Sequence, residues 1–151
     1  MSDITNAALS IVRQLCLRFE GVYLTSYLCP AGVPTIGVGA TYYQDGTRVT
    51  LADPPITTAH AMSLLDWMIL TKYLPAVQAL CPHITDPRRL AAIIDFTYNL
   101  GSGQLRSSNL RRRINSEDWA AVPAELRKWT RGGGRVLRGL VIRREAEVKL
   151  V

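Results

Sequence analysis

Cysteine, histidine and long apolar runs are scarce in this 151-residue chain, and each scarcity excludes a class of protein. The three cysteines are an odd number, so they cannot all pair in disulfides, and none lies in a Cys-x-x-Cys motif. The two histidines stand at no zinc-ligand spacing from them, so we expect neither a metal nor another cofactor. Free thiols indicate synthesis in a reducing compartment.

We expect neither a membrane-spanning helix nor a secretory signal. No window approaches about 18 uninterrupted apolar residues, and residues 1–6 lack the basic and apolar regions of a secretory signal. The chain contains no internal repeat, low-complexity tract or long linker, so its length favours one domain, residues 1–151. Gly37-x-Gly39 lacks the third glycine and the Lys-Ser/Thr that a phosphate-binding loop requires.

Positive charge is what the chain has in excess. Eighteen Lys and Arg residues stand against twelve Asp and Glu, a formal net charge of +6, and most of the excess is Arg after residue 105. This charge favours an anionic partner such as nucleic acid, lipid headgroups or an acidic wall polymer, without choosing among them. The alternative is a basic face that only contacts solvent.

The periodicity of apolar residues predicts an α+β fold. Residues 4–20 carry an apolar stripe at helical spacing (Ile4, Ala8, Ile11, Val12, Leu15, Phe19), and Gly21 is a favourable helix end. Residues 22–50 combine strand formers with turn residues, and Asp45-Gly46 predicts a hairpin turn. Further helices are predicted to start at Thr57 or Thr58, at Thr85-Asp86-Pro87, near Leu110 and at Ser116, with Pro75 as a kink and Gly101 as a stop. Gly132-Gly133-Gly134 predicts a flexible break before a last helix, residues 135–151.

Glu20, Cys29 and Thr35 are the candidate catalytic residues. Glu20 lies in the last turn of the first predicted helix, where the helix dipole disfavours a negative charge and so favours the protonated form of a general acid. The alternative for Glu20 is a surface residue at a frayed helix end. The spacing Glu, eight residues, middle residue, five residues, Thr resembles the signature of the phage-type lysozymes, the endolysins of glycoside hydrolase family 24. In that signature the middle residue is Asp, whereas this chain has Cys29.

Three more segments extend the resemblance to about residues 10–150. Residues 35–41 (TIGVGAT), 95–101 (DFTYNLG) and 139–147 (GLVIRREAE) are similar to that family's strand, helix end and terminal motifs, in the same order. The resemblance implies a lysozyme-like fold: a small antiparallel sheet lobe, about residues 22–56, beside a helical lobe, about residues 57–151 plus the helix 4–20. The substrate cleft is then expected between the two lobes.

The resemblance also implies supporting residues. Asn99 and Trp129 become candidates for substrate binding on the helical side of the cleft, and Arg143 becomes a candidate ion-pair partner of Glu20. The alternatives are a helix-capping amide for Asn99, a core indole for Trp129 and a solvated basic residue for Arg143.

Cys29 leaves the mechanism open. With ordinary pKa values, the state with Glu20 protonated and Cys29 ionised lies more than about 5 kcal/mol above the reverse arrangement. Either a nearby Arg lowers the pKa of Cys29, or neutral Cys29 positions a water molecule, or Cys29 is inert and Glu20 works alone as in lytic transglycosylases. A fourth possibility is that the chain has lost catalysis.

The expected function is phage-directed lysis by cutting peptidoglycan between N-acetylmuramic acid and N-acetylglucosamine. We expect a monomer that binds no nucleic acid and stays in the host cytoplasm until a holin-like pore releases it. The alternative class is a cationic protein that binds the wall or disrupts membranes through its basic terminal helix.

Overall fold

Helices make up most of the structure, a computed structural model that describes all 151 residues. Two antiparallel sheets of two strands each accompany them, so the predicted α+β class is confirmed. The helices are α1 (Asp3–Glu20), α2 (Thr58–Met68), α3 (Leu74–Leu80), α4 (Pro87–Leu100), α5 (Ser102–Arg106), α6 (Asn109–Asn115), α7 (Val122–Arg127) and α8 (Arg138–Val148), and the strands are β1 (Tyr23–Leu28), β2 (Pro34–Gly37), β3 (Arg131–Gly132) and β4 (Arg135–Val136).

Helix α1 packs along α4 and ends at Glu20. Ser2 caps its first turn, because the Ser2 hydroxyl accepts a hydrogen bond from the Thr5 N–H at 3.2 Å. The buried face of α1 is slightly rotated from the predicted stripe, since Ile4 remains 38% exposed. The buried residues of α1 are Thr5, Ala8, Leu9, Val12 and Cys16.

The first sheet lies directly after α1. Strands β1 and β2 pair antiparallel, with Tyr27 opposite Thr35 and Tyr23 opposite Gly37, and the register is irregular between these pairs. The predicted Asp45-Gly46 turn is present: the Asp45 carboxylate accepts from the Thr47 N–H at 2.9 Å. Hydrophobic residues of this lobe and of the helices form one continuous core cluster, which includes Ile36, Val38, Leu65 and Phe96.

A π-helical turn, Ile69–Tyr73, joins α2 to α3. Thr57 caps α2 as predicted, with its hydroxyl accepting from the His60 N–H at 3.0 Å. Pro75 was predicted to end or kink the helical pattern, yet it lies in the first turn of α3. A proline ring clashes with the carbonyl four residues earlier, and the wider π turn relieves that clash while the helix continues.

The C-terminal part of the chain departs most from prediction. Helix α7 begins at Val122 rather than Ser116, because residues 116–121 form turns in which Glu117 has a positive φ of 59°. The glycines 132–134 are no flexible break. Gly133 and Gly134 have φ angles of 59° and 80°, which form the tight turn between β3 and β4.

The last helix, α8, is shorter than predicted and spans Arg138–Val148. It packs against α4 and α7. None of the helices in the structure is both long and apolar enough to span a bilayer.

Candidate active site

The end of α1 places Glu20 beside Gly39 of the first sheet lobe. Gly21, with a φ of 75°, ends the helix, and its N–H donates to the Leu17 carbonyl at 3.3 Å. A Cβ atom on Gly39 would lie 3.7 Å from Glu20 Oε2, and Gly39 has a φ of 79°. Glycine at position 39 therefore keeps a side chain away from the carboxyl, whose side chain is 27% exposed.

Arg143 of α8 contacts Glu20 directly. Its Nη1 donates to Glu20 Oε1 at 2.5 Å, while its Nε and Nη2 donate to the two oxygens of Asp95 at 3.0 and 2.8 Å. Burial by itself lowers the pKa of Arg143, but the hydrogen bonds and negative charges of Asp95 and then Glu20 outweigh it and raise the pKa. Arg143 is 3% exposed, so the alternative of a solvated basic residue is wrong.

Cys29 lies in a tight turn immediately after β1. The Cys29 N–H donates to the Val33 carbonyl at 3.0 Å, and the Gly32 N–H donates to the Cys29 carbonyl at 2.8 Å. The turn directs backbone N–H groups toward the sulfur. Hydrogen bonding from Val33 is the largest cause that lowers the pKa of the Cys29 thiol, and Ala31 and Thr35 add to it while burial opposes it. The backbone N–H groups of the turn therefore lower the pKa of Cys29, an effect that the sequence analysis expected from a nearby arginine.

Thr35 is buried on β2, 3% exposed. Its hydroxyl donates to the Val33 carbonyl at 2.9 Å, and it also contributes to the low pKa of Cys29. A hydroxyl has a single proton, so it can be donated either to the Val33 carbonyl or to the Cys29 sulfur. Thr35 and Cys29 thus share one hydrogen-bonding environment.

Tyr27 links the two halves of the site. It lies opposite Thr35 in the sheet. Burial is the largest cause that raises its pKa, followed by Tyr23, Glu20 and Cys29. The charges of Glu20 and Cys29 both act on the same phenol, so the fold brings the predicted acid and the Cys29 turn to one region.

Asn99 and Trp129 contact the helical body. The Asn99 side-chain oxygen accepts from Arg144 Nη2 at 2.7 Å. The half-buried Trp129 ring packs edge-on against Phe96, with ring centroids 5.5 Å apart. The Trp129 contact is the core alternative considered for that residue, whereas Asn99 pairs with a side chain of α8 and not with a helix end. Substrate binding by either residue stays a prediction.

Two residues that the sequence interpretation did not single out adjoin the site. Asp95 is fully buried in the apolar part of α4, and the Tyr98 hydroxyl donates to the Val38 carbonyl. Burial raises the pKa of Tyr98, and the nearby Glu20 charge adds to this effect. A signal for Asp95 was present in the sequence, because a carboxylate within a run of buried apolar residues requires a cationic partner.

A cavity of about 250 Å³ opens beside Gly39. The π-helical turn provides one wall, with Thr71, Lys72 and Tyr73, and Trp67 of α2 adds an aromatic surface. The Tyr73 ring packs against that of Tyr98 in a tilted arrangement, with centroids 4.7 Å apart, so the wall connects to the Glu20 region. A larger cavity of about 560 Å³ lies between α6 and α7, and none of the predicted site residues lines it.

Comparison with solved structures identifies the fold. The fold is similar to an endolysin from Escherichia coli O157:H7 phage FAHEc1, with a TM-score of 0.82 and 25% identity over 99% of this chain and 92% of that one. It is also similar to a mutant P22 lysozyme, with a TM-score of 0.80 and 26% identity over 93% of this chain and 94% of that one. The expected lysozyme-like fold is therefore confirmed.

Sequence comparison leads to the same family. The chain is 32% identical to a SAR-endolysin of Bacteriophage PS119 over 156 aligned residues, which cover 97% of this chain and 88% of that relative. The family model described as "Phage lysozyme" matches residues 17–147, which contain Glu20, Cys29, Thr35 and Arg143. This chain therefore belongs to the phage lysozyme family of peptidoglycan-degrading lysis enzymes.

Proposed function

We propose that the protein is an N-acetylmuramidase with one catalytic domain, residues 1–151, that hydrolyses the β-1,4 bond between N-acetylmuramic acid and N-acetylglucosamine. One observation carries the proposal. Glu20, the only carboxyl among residues 19–41, is held by Arg143 and its side chain remains 27% exposed. A positioned and accessible carboxyl is what a general acid of glycoside cleavage requires.

Glu20 is assigned the role of the acid that protonates the leaving oxygen. Cys29 is assigned the second role, in which it activates or positions the water molecule, and Thr35 holds that water. The lowering of the Cys29 pKa favours the thiolate form of this mechanism, because the N–H groups of the turn stabilise a negative sulfur. Asn99 and Trp129 remain proposed substrate contacts on the helical side.

A substitution at Glu20 tests the assignment. Glu20→Gln removes the transferable proton and keeps the shape of the side chain, so wall clearing is expected to fall by at least about 10²-fold. The rate of turbidity loss of purified peptidoglycan measures this, and circular dichroism and wall pelleting check folding and binding. Near-parental turnover by the folded variant would remove Glu20 from the acid role.

Lytic transglycosylase chemistry is the second candidate, favoured by the presence of a single carboxyl in the site segment. In that reaction Glu20 acts alone and the 6-hydroxyl of the sugar closes the ring. Mass spectrometry of the digested wall separates the candidates: hydrated reducing ends indicate hydrolysis and anhydro ends indicate transglycosylation. An intact wall would favour a non-catalytic cationic protein that binds walls or membranes.

The proposal includes monomeric action in phage-directed lysis, with a holin-like pore giving the protein access from the host cytoplasm to the wall. Some relatives carry the name SAR-endolysin, so delivery needs its own test on this chain. Cells that express the protein alone are expected to remain intact until chloroform opens the inner membrane. Prompt lysis without chloroform would contradict the pore requirement.

A further inference from the structure

The contact between Glu20 and Arg143 creates a conflict with the acid role. An arginine 2.5 Å from a carboxyl favours the ionised carboxylate, whereas a general acid has to carry a proton. Arg143 alone would therefore hold Glu20 in the inactive protonation state. Another group has to offset the positive charge.

Asp95 is placed to offset it. Its two oxygens accept from Arg143 Nε and Nη2, which leaves the guanidinium one contact, through Nη1, for Glu20. The Asp95 side chain is 0% exposed and that of Arg143 is 4% exposed. A buried carboxyl is costly unless it is paired, so this bidentate contact compensates for the burial of Asp95.

We propose that Asp95 is a positioning residue that acts through Arg143: it balances the charge of the guanidinium, so that Glu20 can hold the proton that it transfers. This inference rests on the proposed function. One guanidinium faces two carboxyls, and the group of three is electrically neutral when one carboxyl is protonated. Glu20 is the partly exposed member of the group, so it is the carboxyl that can meet a substrate oxygen.

Other titratable groups surround this trio. The Tyr98 and Tyr27 hydroxyls and the Cys16 thiol lie within electrostatic range of Glu20, and Cys16 Sγ is 3.9 Å from Asp95 Oδ1. Arg144 and Glu147 pair with each other at 2.9 Å. Burial raises the pKa of Glu147, and Asp95 adds to this effect, so Glu147 is the competing place for a proton. Its side chain is 0% exposed, which excludes direct transfer to substrate.

Asp95→Asn is the direct test. The charge of Arg143 then acts on Glu20 without compensation, so the ionised carboxylate is favoured. The limb of the pH–activity profile that coincides with the Glu20 titration is expected to move to lower pH by about one unit or more. The matched control is Asp66→Asn, which removes a carboxylate that is also bound bidentately by an arginine, Arg13, at 2.8 and 2.9 Å. The control is expected to change stability and leave the limb in place.

The double variant Asp95→Asn with Arg143→Met covers the case in which Asp95→Asn does not fold. It removes both buried charges together, and the limb that coincides with the Glu20 titration is expected at or above the parental pH. A limb below the parental pH in this variant would overturn the proposal.

Carbon-13 NMR of the Glu20 side chain gives a readout that needs no catalysis. Its titration is expected at lower pH in Asp95→Asn than in the parent, and at or above the parental pH in the double variant. The NMR measurement distinguishes failure of this inference from failure of the proposed function. If the parent does not cut peptidoglycan, the proposed function is wrong, but the order of the Glu20 titrations in the three proteins still tests the role of Asp95. Unchanged NMR titration and an unchanged limb in folded Asp95→Asn would make Asp95 purely structural.

Discussion

Cys29 is the residue that most affects the choice among the proposed mechanisms. Its turn supplies N–H groups from Val33 and Ala31 in a position where the family pattern has a carboxylate. Burial raises the pKa of Cys81 to about 11 and also raises that of Cys16, so Cys29 is the thiol most readily ionised. Lowering the pKa of Cys29 reduces the free-energy cost of the state in which Glu20 is protonated and Cys29 is ionised.

Substitutions at Cys29 distinguish its roles. Cys29→Asp is expected to keep substantial activity, with the optimum of the pH–activity profile moved to lower pH. The sign follows because a base acts when ionised and Asp ionises several pH units below Cys. Cys29→Ala is expected to lose about 10²-fold or more, since alanine neither ionises nor holds water. Turbidity loss of purified wall across pH is the measurement.

Cys29→Ser completes the series, because a hydroxyl holds water but does not ionise in this pH range. Activity near the parent indicates water positioning, and activity near Cys29→Ala indicates a thiolate. Cys16→Ala and Cys81→Ala are the controls and should remain active. If folded Cys29→Ala clears wall as fast as the parent, Cys29 has no role and the transglycosylase route becomes the better account.

The predictable part of the site is the part that is local in sequence. Glu20 ends α1, and Cys29 and Thr35 follow in the adjoining strand–turn–strand region, so their spacing singled them out. Asp95 acts on Glu20 through Arg143, which is 48 positions from Asp95 and 123 from Glu20. Local patterns do not reveal such distant partners, and the ion pair with Arg143 was expected only from the family resemblance.

Helix α8 differs from its sequence pattern at the scale of the element. The run of basic residues suggested an exposed charged face, but Arg143 and Arg144 are 3% and 0% exposed. Both point into the body and meet carboxyls there. The turns before α7 and between β3 and β4 were also missed, since their positive φ angles depend on backbone geometry that residue type only partly determines.

The Arg144–Glu147 pair within α8 is expected to be replaceable. Arg144 Nε and Nη1 and Glu147 Oε2 have no hydrogen-bond partner, so the pair is incompletely compensated for burial. Replacing both residues, with Arg144→Met and Glu147→Leu, is expected to leave the free energy of unfolding unchanged or raise it by about 1–4 kcal/mol. Thermal and urea unfolding measure it.

Arg144→Met alone is the contrasting variant. It leaves Glu147 buried without its partner and is expected to cost about 3–5 kcal/mol near neutral pH. A double variant that is less stable than this single one would show that the pair stabilises the fold.

At the scale of the whole molecule, the net charge of +6 predicts sensitivity to salt. Arg135, Arg138 and Lys149 remain exposed, so they are available to an anionic wall polymer. Wall clearing is expected to fall several-fold between low salt and about 0.15 M, where the Debye length is about 8 Å. Replacing Arg135 and Arg138 with Gln should flatten this dependence.

Glu117→Gln is the control for charge, since it removes an exposed negative group and should increase the salt dependence slightly. A salt-independent rate in the parent would contradict a role for the exposed cations. If a peptide of residues 135–151 lysed cells as well as the whole protein, the non-enzymatic alternative would gain support instead.

The ion pair between Glu20 and Arg143 also has a consequence for synthesis. The two residues are 123 positions apart, so a chain emerging from the ribosome exposes its acid long before its arginine is made. Only after α8 has been translated and has packed against α4 is the acid fixed in place. A growing chain is thus unable to assemble the site, and under the proposed mechanism catalytic competence appears only after α8 has folded.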